Sequence, residues 1–257
     1  MNLSEQKSNS NLLSNLISLI GKRVLITGAA GSVGERACAV FRAAGAEVFG
    51  VDRNYVKLNE LRTDGFLDEF LAGDLTDPAF CQVVGRLNPV PDVLVNNVGT
   101  GLSHSLANTS DEVLEEMLEI NLRVAVRLCR EIMPAMGNRR SGKVINVSSV
   151  LANHPVPTVS AYAASKSALI GFTRSVALEY APRGIQVNAL APGYLAGPKN
   201  DEYFRSDIGQ QFQLRFMPTG TIGTPNALDG PLLFLASAMS EHVTGHTLVV
   251  DGGYSIW

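Results

Sequence analysis

Short apolar runs alternate along the chain with longer segments in which apolar residues recur at helical spacing. The apolar runs are rich in Val, Ile and Leu, as expected for strands buried on both faces of a parallel sheet. They predict strands at Arg23–Gly28, Glu47–Asp52, Glu69–Gly73, Asp92–Asn97, Lys143–Ser148, Ile185–Leu190 and His246–Val250. The periodic segments predict helices at Ser32–Ala44, Tyr55–Thr63, from Asp77-Pro78 onward, and at Ser110–Met136, Ala161–Tyr180 and Thr224–Ser237. This alternation predicts an α/β fold, a doubly wound seven-stranded parallel sheet flanked by helices.

The chain reads as one domain, because we find no repeat, low-complexity block or linker in it. We predict an N-terminal arm at residues 1–20 and a single domain over 21–257. The segment Gly193–Thr224 is rich in Gly, Pro and polar residues and has the weakest pattern for regular structure. We expect a substrate lid there, over about residues 194–223.

Composition narrows the function classes. The chain has 257 residues, 46% of them hydrophobic, which suits one globular domain with a full core. The net charge is −3, and the absence of a basic cluster beyond Arg139-Arg140 argues against nucleic acid or an acidic membrane as a partner. Three distant cysteines, Cys38, Cys81 and Cys129, favour reduced core thiols in a cytoplasmic protein and neither a disulfide framework nor a metal site.

A glycine-rich turn follows the first predicted strand and opens a helix. Its sequence is Thr27-Gly28-Ala-Ala-Gly31-Ser32-Val33-Gly34. Such a turn lets the backbone approach a pyrophosphate at a helix N-terminus. The second strand ends at Asp52, whose carboxylate suits the ribose hydroxyls of NAD and repels a 2′-phosphate, whereas Arg53 could grip that phosphate, which keeps NADP open.

Polar residues end the next two strands. Asp74, beside Leu75, could bind an adenine amino group or only cap the turn before Asp77, and we leave both open. Asn96-Asn97-Val98-Gly99 ends the fourth strand, where the carboxyl ends of a doubly wound sheet face the ligand crevice.

Tyr162 and Lys166 are four residues apart and lie one turn apart on one face of a predicted helix. A tyrosine has an unperturbed pKa of about 10, and a nearby positive charge favours the phenolate and brings proton transfer into range. Ser149, before the helix, offers a hydroxyl to hold a substrate oxygen.

Together, in this order, these motifs resemble the short-chain dehydrogenase/reductase family over about Gly21 to Gly253. The resemblance also rests on Asn121 in the long fourth helix, on the thirteen-residue step from Ser149 to Tyr162, and on Pro192-Gly193. It implies a single-domain Rossmann fold and a dinucleotide site. The cofactor-binding candidates are Gly28, Gly31, Ser32, Val33, Gly34, Asp52, Arg53, Asp74, Leu75, Asn97, Val98, Gly99, Tyr162, Lys166, Pro192, Gly193 and Leu195.

The resemblance assigns four catalytic roles. Tyr162 would be the general acid/base, and Lys166 would lower its pKa and hold the nicotinamide ribose. Ser149 would orient the substrate carbonyl or hydroxyl, and Asn121 would hold a water in the proton relay. Ser148 competes with Ser149, but the family spacing matches Ser149 and strand alternation sends the two side chains to opposite sides.

The chain departs from the family pattern at three positions. Ser32 replaces the middle glycine of the turn, with Gly31 one place earlier; a serine serves there if its φ is negative. Val98 stands where alanine is common. Gly197 replaces a threonine that contacts the nicotinamide amide, so that Tyr194 or the backbone would have to substitute.

The substrate side is less specific. By the family's arrangement, residues 100–106, 150–156 and 194–220 surround the reacting carbon, and the candidate substrate contacts are Ser103, His104, Asn153, His154 and Tyr194. Phe204, Phe212 and Phe216 either line an apolar pocket or pack the lid against the domain. We expect a small alcohol, polyol or cyclic ketone.

The leading hypothesis is an NAD-dependent alcohol dehydrogenase or carbonyl reductase that interconverts a secondary alcohol and a ketone. The alternative is a non-catalytic dinucleotide-binding sensor or scaffold, and within enzymes a dehydratase or epimerase. By fold analogy we expect a homotetramer or homodimer formed through Ser110–Met136 and Ala161–Tyr180.

Overall fold

Seven parallel strands form one sheet within residues 12–198 and 200–257, the part of the chain that the computed structural model describes. Their order across the sheet is β3-β2-β1-β4-β5-β6-β7. The strands are β1 Arg23–Thr27, β2 Glu47–Asp52, β3 Glu69–Ala72, β4 Val93–Asn96, β5 Gly142–Val147, β6 Ile185–Pro192 and β7 Thr247–Val250. The predicted α/β fold and parallel sheet are confirmed.

Helices cover both faces of the sheet. They are α1 Ser32–Ala43, α2 Tyr55–Thr63, α3 Pro78–Gly85, α4 Asp111–Leu118, α5 Val124–Arg139, α6 Ser160–Tyr180, α7 Asp201–Arg205, α8 Asp207–Phe216 and α9 Asp229–Ala236. Short 3₁₀ turns lie at Leu106–Asn108, Val150–Ala152, Ala181–Arg183, Pro225–Leu228, Ala238–Ser240 and Tyr254–Ile256.

Side-chain caps begin several of these helices where the sequence predicts them. The Asp77 carboxylate accepts a hydrogen bond of 2.8 Å from the Ala79 amide, and Pro78 occupies the first turn of α3. Asn54 likewise accepts from the Lys57 amide at 3.1 Å, at the start of α2. Such caps satisfy amides that have no partner within the helix.

The helix predicted over Ser110–Met136 differs from the one observed. A π-helical turn, Glu119–Arg123, separates α4 from α5, and α5 runs on to Arg139. One residue more in a turn shifts which side chains share a face, and Asn121 lies in that turn, 1% exposed. The widened turn therefore sets the direction of the Asn121 side chain.

The segment Gly193–Thr224 contains more regular structure than predicted. It holds α7 and α8, whose aromatic rings pack together and against Tyr194. The Tyr194 ring lies 5.7 Å from the Phe204 ring and 5.4 Å from the Phe212 ring, between centroids. These aromatic residues therefore pack against one another within the lid, and their contacts stabilise two helices that its Gly, Pro and polar residues did not suggest.

Apolar side chains bury both faces of the sheet. One cluster joins α1 and α9 to the sheet, and Phe41 is its largest fully buried side chain. The other joins α3, α5 and part of α6, and it contains Cys81 and Cys129. Burial raises the pKa of the Cys38 and Cys129 thiols to about 12, which keeps both protonated.

The chain before β1 packs on the end of α1. Residues 12–17 are helical, and Leu19 is 1% exposed, with its amide 2.9 Å from the Ala44 carbonyl. Residues 1–11 of the predicted arm lie outside the described residues. In the part of the chain that is described, no helix has the length and apolarity needed to cross a membrane.

Candidate active site

The carboxyl ends of β1, β4, β5 and β6 meet at one edge of the sheet, and the predicted site residues gather there. Strand β1 runs into the glycine-rich turn, and β4 ends at Asn96 beside Asn146 of β5. The Asn96 amide nitrogen donates to the Asn146 side-chain oxygen over 2.8 Å, and the Asn146 amide donates to the Thr173 hydroxyl of α6 over 2.9 Å. This buried polar chain fixes α6 against the two strands below the site.

The glycine-rich turn is tied to the end of β4. The Asn97 side-chain amide donates to the carbonyls of Thr27 and Gly28, each over 3.1 Å. The Thr27 hydroxyl accepts from the amides of Asn97 and Val98. Gly28 has φ +66°, and a Cβ there would lie 3.2 Å from the Val98 Cα, so that glycine suits this position in two ways.

The turn and the first turn of α1 form a cradle that fits a pyrophosphate. A Cβ at Gly34 would lie 2.0 Å from the Gly28 carbonyl oxygen, so only a hydrogen fits between helix and turn. Gly31 is the N-cap of α1, and no side chain caps the helix there. The backbone amides in the first turn of α1, those of Ser32 and Val33 among them, are therefore available to bind an anion. The residues present fit a dinucleotide.

Ser32 begins α1, and it is not among the residues with positive φ. The condition set for a serine in place of the middle glycine is thus met. Gly197 lies beside it, because a Cβ at Gly197 would be 3.5 Å from the Ser32 hydroxyl. The start of the lid therefore lies against the glycine-rich turn.

Asp52, at the end of β2, holds the same turn. Its carboxylate accepts from the Ala30 amide over 3.2 Å and from the Asn54 amide over 2.9 Å. Arg53 is exposed and lies near Asp74, whose pKa it helps to lower. The negative charge is thus fixed at the turn, whereas the positive charge of Arg53 is partly offset.

Asp74 and Leu75, which follow β3, have contacts within the protein itself. The Asp74 carboxylate accepts from the amide and the hydroxyl of Thr76, and these bonds lower its pKa. Asp74 therefore caps its turn, one of the two roles left open. The Leu75 side chain is 4% exposed and packs in the core, so any contact with a ligand would come from its backbone.

Tyr162 and Ser149 lie side by side at the carboxyl end of β5. Burial raises the pKa of the Tyr162 phenol, and hydrogen bonding with the Ser149 hydroxyl opposes that rise. Ser149 also caps the 3₁₀ turn Val150–Ala152 by accepting from the Leu151 amide over 3.2 Å. Ser148 points the other way, and its hydroxyl donates to the Lys166 carbonyl over 3.0 Å. The geometry thus separates the two serines as strand alternation predicts.

Lys166 is 4% exposed, and its Nζ donates to the Val147 carbonyl over 2.8 Å. Burial lowers the pKa of Lys166 to about 8. Burial raises the pKa of the Tyr162 phenol and the Lys166 ammonium is directed at the Val147 carbonyl, so the expected lowering of the Tyr162 pKa by Lys166 stays a prediction.

Asn121 joins this group through the backbone of Thr100. Its amide nitrogen donates to the Thr100 carbonyl, and its oxygen accepts from the Thr100 amide, both over 2.9 Å. A Cβ at Gly99 would lie 3.1 Å from both the Asn121 Oδ1 and the Lys166 Nζ. Gly99 therefore keeps open the space where the two groups converge.

Sequence reasoning missed Ser165. Its hydroxyl accepts from the Asn121 amide over 3.0 Å and donates to the Tyr162 carbonyl over 2.7 Å. It thus links the π-helical turn to α6. Its position directly before Lys166 was the available signal, but a small residue in a helix gives no hint of such a partner.

The predicted substrate residues fall into separate groups. The Ser103 hydroxyl lies 2.7 Å from the Thr158 hydroxyl, and the His104 amide donates to the Thr158 carbonyl over 2.8 Å, so these two tie neighbouring loops together. Asn153 caps the 3₁₀ turn after Ser149 and is exposed. His154 lines a surface pocket next to the lid, and Tyr194 lies in the lid's aromatic cluster.

The strand-end residues on the other side of the site are rigidly held. Pro192 ends β6, and the Gly193 amide donates to the Val250 carbonyl over 2.9 Å. A Cβ at Gly193 would lie 2.7 Å from the Asp251 Cα. Leu195 pairs with Gly223 in an isolated parallel bridge, which closes the base of the lid.

Comparison with known proteins agrees with this geometry. A family model described as "Enoyl-(Acyl carrier protein) reductase" matches residues 28–255. A 3-oxoacyl-(acyl-carrier-protein) reductase of Rickettsia bellii is 34% identical over 241 residues, which cover 93% of this chain and 98% of the relative. The chain belongs to the short-chain dehydrogenase/reductase family. It is therefore an oxidoreductase of a dinucleotide-binding family.

Other members of the short-chain dehydrogenase/reductase family carry different names. A 2-dehydro-3-deoxy-D-gluconate 5-dehydrogenase of Pseudoalteromonas atlantica is 35% identical over 248 residues, covering 92% of this chain and 97% of the relative. The structure of a gluconate 5-dehydrogenase of Burkholderia cenocepacia, in complex with NADP and tartrate, matches with a TM-score of 0.89 at 30% identity. That match covers 95% of this chain and 99% of the other. The similarity spans nearly the whole chain, but these relatives are named for different substrates.

Proposed function

We propose that this protein interconverts a secondary alcohol and a ketone with a nicotinamide dinucleotide, and that Tyr162 transfers the proton. One observation carries the proposal. The hydroxyls of Tyr162 and Ser149 lie together beside Lys166 at the sheet edge that holds the glycine-rich cradle. The relatives' names, a 3-oxoacyl reductase and dehydrogenases named for sugar acids, support carbonyl–alcohol chemistry.

The hydroxyls of Ser149 and Tyr162 have different roles at the substrate oxygen. Ser149 holds that oxygen by hydrogen bonding, and Tyr162 gives it a proton when a ketone is reduced. Because burial raises the pKa of Tyr162, the phenol is protonated at neutral pH and suited to donate. The bound nicotinamide ring supplies or accepts the hydride.

Lys166 and Asn121 support the proton donor. With a pKa of about 8, Lys166 can give up and regain a proton near neutral pH, which suits a group that restores the proton of Tyr162. Asn121 and Gly99 shape the space next to the Lys166 Nζ, where a relay water would fit the family's pattern. The role of Asn121 follows the family resemblance, which also has Lys166 hold the nicotinamide ribose.

We propose NAD as the preferred cofactor over NADP. Gly28, Gly31, Ser32 and Gly34 would hold the pyrophosphate, and Asp52 the adenosine ribose. The fixed Asp52 carboxylate supports NAD because it would repel a 2′-phosphate. The B. cenocepacia relative was solved with NADP, so both cofactors belong in the test.

The natural test is an absorbance screen at 340 nm of the wild type with NADH and NADPH over a panel of ketones, and with the oxidised cofactors over alcohols and polyols. The proposal expects turnover of at least one ketone–alcohol pair. Cofactor binding without turnover on any of them would contradict the proposal and support a dinucleotide-binding sensor or scaffold.

A further inference from the structure

A pocket opens where the lid meets the C-terminal segment. Its lining is His154, Pro155, Phe216, Tyr254 and Trp257. His154 and Pro155 come from the stretch between Ser149 and Tyr162. Phe216 ends α8 of the lid, and Tyr254 and Trp257 belong to the C-terminal 3₁₀ turn and the residue after it. The pocket thus joins three segments that are distant in sequence.

Direct contacts hold the C-terminal wall of this pocket in place. The Trp257 indole N–H donates to the Arg215 carbonyl over 3.0 Å, across 42 residues of sequence. The Asp251 carboxylate accepts from the amides of Gly253 and Ser255 over 2.9 and 2.8 Å. The wall is therefore anchored both to α8 and to the end of β7.

Two chains of contacts link the pocket to the proposed catalytic group. The Tyr254 ring lies 5.4 Å from the Tyr194 ring, between centroids, and Tyr194 lies near enough to Tyr162 for their charges to interact. On the other wall, the His154 amide donates to the carbonyl of Val150, the residue next to Ser149, over 2.9 Å. A substrate held by Ser149 and Tyr162 can therefore extend toward this pocket.

The lining favours an uncharged ring. Three aromatic rings and a proline offer flat apolar contact, on which another ring packs well. None of the described residues that line the pocket is a lysine or an arginine. The Arg215 guanidinium lies over the Phe216 ring, 5.1 Å from its centroid, and stacks on that ring. Asp251, close enough to interact electrostatically with His154, would repel an anion.

We propose that this pocket binds an uncharged alicyclic or aromatic ring of the substrate, next to the carbon that reacts. The inference rests on the proposed function and narrows it, because it favours cyclic or ring-bearing ketones and alcohols over sugar acids. Phe216, Tyr254 and Trp257 are then the residues that determine specificity.

The experiment uses Trp257, the sole tryptophan of the chain, as the reporter. Its side chain is 80% exposed, so a ring bound against it should shift its emission to shorter wavelength. Tyr162→Phe protein saturated with NAD, in which turnover of the probe should be strongly slowed, is titrated with cyclohexanol, 2-hexanol and gluconate. We expect a saturable shift with cyclohexanol, a weaker response to 2-hexanol and no response to gluconate.

Phe216→Ala, in the same background, should raise the Kd of cyclohexanol about threefold to tenfold. Val83→Ala, an exposed apolar side chain on α3 outside the pocket, should leave it unchanged. An equal Kd in Phe216→Ala, or a stronger response to gluconate than to cyclohexanol, would overturn the proposal. The titration measures binding and not turnover. A wild type without turnover would therefore refute the proposed function, but it would not refute binding of a ring in this pocket.

Discussion

Replacing Lys166 by methionine should stabilise the protein while it abolishes activity. Lys166 is 4% exposed, and no ion pair among the described residues includes it. Its Nζ has the Val147 carbonyl as hydrogen-bond partner. A buried ammonium with one carbonyl partner and no carboxylate destabilises the fold. Residues that lower stability in this way are typical of functional sites.

The magnitude follows from the pKa of Lys166. Burial lowers that pKa from 10.5 to about 8. At about 1.4 kcal/mol for each tenfold change in proton affinity, the charged form costs the native state about 3 kcal/mol. Loss of the hydrogen bond to the Val147 carbonyl offsets about 1 kcal/mol. We therefore expect the free energy of unfolding of Lys166→Met to exceed that of the wild type by about 2 kcal/mol at pH 7.

The pH dependence distinguishes this cause from better packing. Between about pH 8 and 10.5 the unfolded wild type binds more protons at Lys166 than the native state, so wild-type stability rises with pH in that window. The methionine of the variant cannot titrate in this way, and the advantage of the variant should shrink as the pH rises. Below pH 8 both states of the wild type are protonated, and the advantage should be constant.

Urea unfolding followed by circular dichroism at pH 7, 8, 9 and 9.5 measures this difference. Lys143→Met is a matched control, because burial also lowers the pKa of Lys143, which lies at the opposite end of β5 and bonds Ser240. It should keep full activity. A Lys166→Met variant less stable than the wild type at pH 7, or an advantage that does not change with pH, would refute the reasoning.

Three further predictions concern the cradle, the cofactor and the assembly. Gly34→Ala should lower the free energy of unfolding by about 3 kcal/mol, since its Cβ would meet the Gly28 carbonyl at 2.0 Å, whereas Gly171→Ala, with open space in α6, should raise it by about 0.5–1 kcal/mol; equal effects in urea melts would contradict this. Asp52→Asn should lower the ratio of kcat/KM for NADH to that for NADPH at least tenfold, and the exposed Asp64→Asn should not; a wild type that prefers NADPH would refute the role given to Asp52. Light scattering should show a dimer or tetramer that Leu178→Glu, at an 80% exposed position of α6, shifts to smaller species; a monomeric wild type would remove that proposal.

The strands were predictable because their signal is local. A strand buried on both faces needs a run of apolar residues, and β1 and β2 show this within the window of their own sequence. The predicted end of β1 at Gly28 was one residue too long, since Gly28 has φ +66° and already belongs to the turn. Such ends depend on a single dihedral angle, which periodicity does not report.

The π-helical turn at Asn121 was not predictable in this way. Apolar spacing near 3.6 residues holds on both sides of it, and a single widened turn leaves little trace in the pattern. Its position is stabilised by bonds of Asn121 to Thr100 and Ser165, which come from other segments. The sequence identified Asn121 as a site residue only through the family resemblance.

The behaviour of Tyr162 and Lys166 also depends on the whole fold. Their spacing on α6 was visible in the sequence, and it suggested that the ammonium lowers the pKa of the phenol. Whether it does so depends on burial, which raises the pKa of Tyr162 and lowers that of Lys166 in this structure. The C-terminal wall at Trp257 is a further example, since its contact with Arg215 spans 42 residues.

The most direct test of the account compares Tyr162→Phe with Tyr180→Phe. Both changes remove one phenol oxygen from α6, but Tyr180 is the last residue of the helix and lies in the cation–π contact with Arg183, 5.1 Å from the guanidinium to the ring centroid. With the best substrate and cofactor from the screen, kcat/KM of Tyr162→Phe should fall about 10²–10⁴-fold, with cofactor affinity and fold unchanged, whereas Tyr180→Phe should match the wild type. Turnover by Tyr162→Phe within threefold of the Tyr180→Phe control would contradict the assignment of Tyr162 as the proton donor.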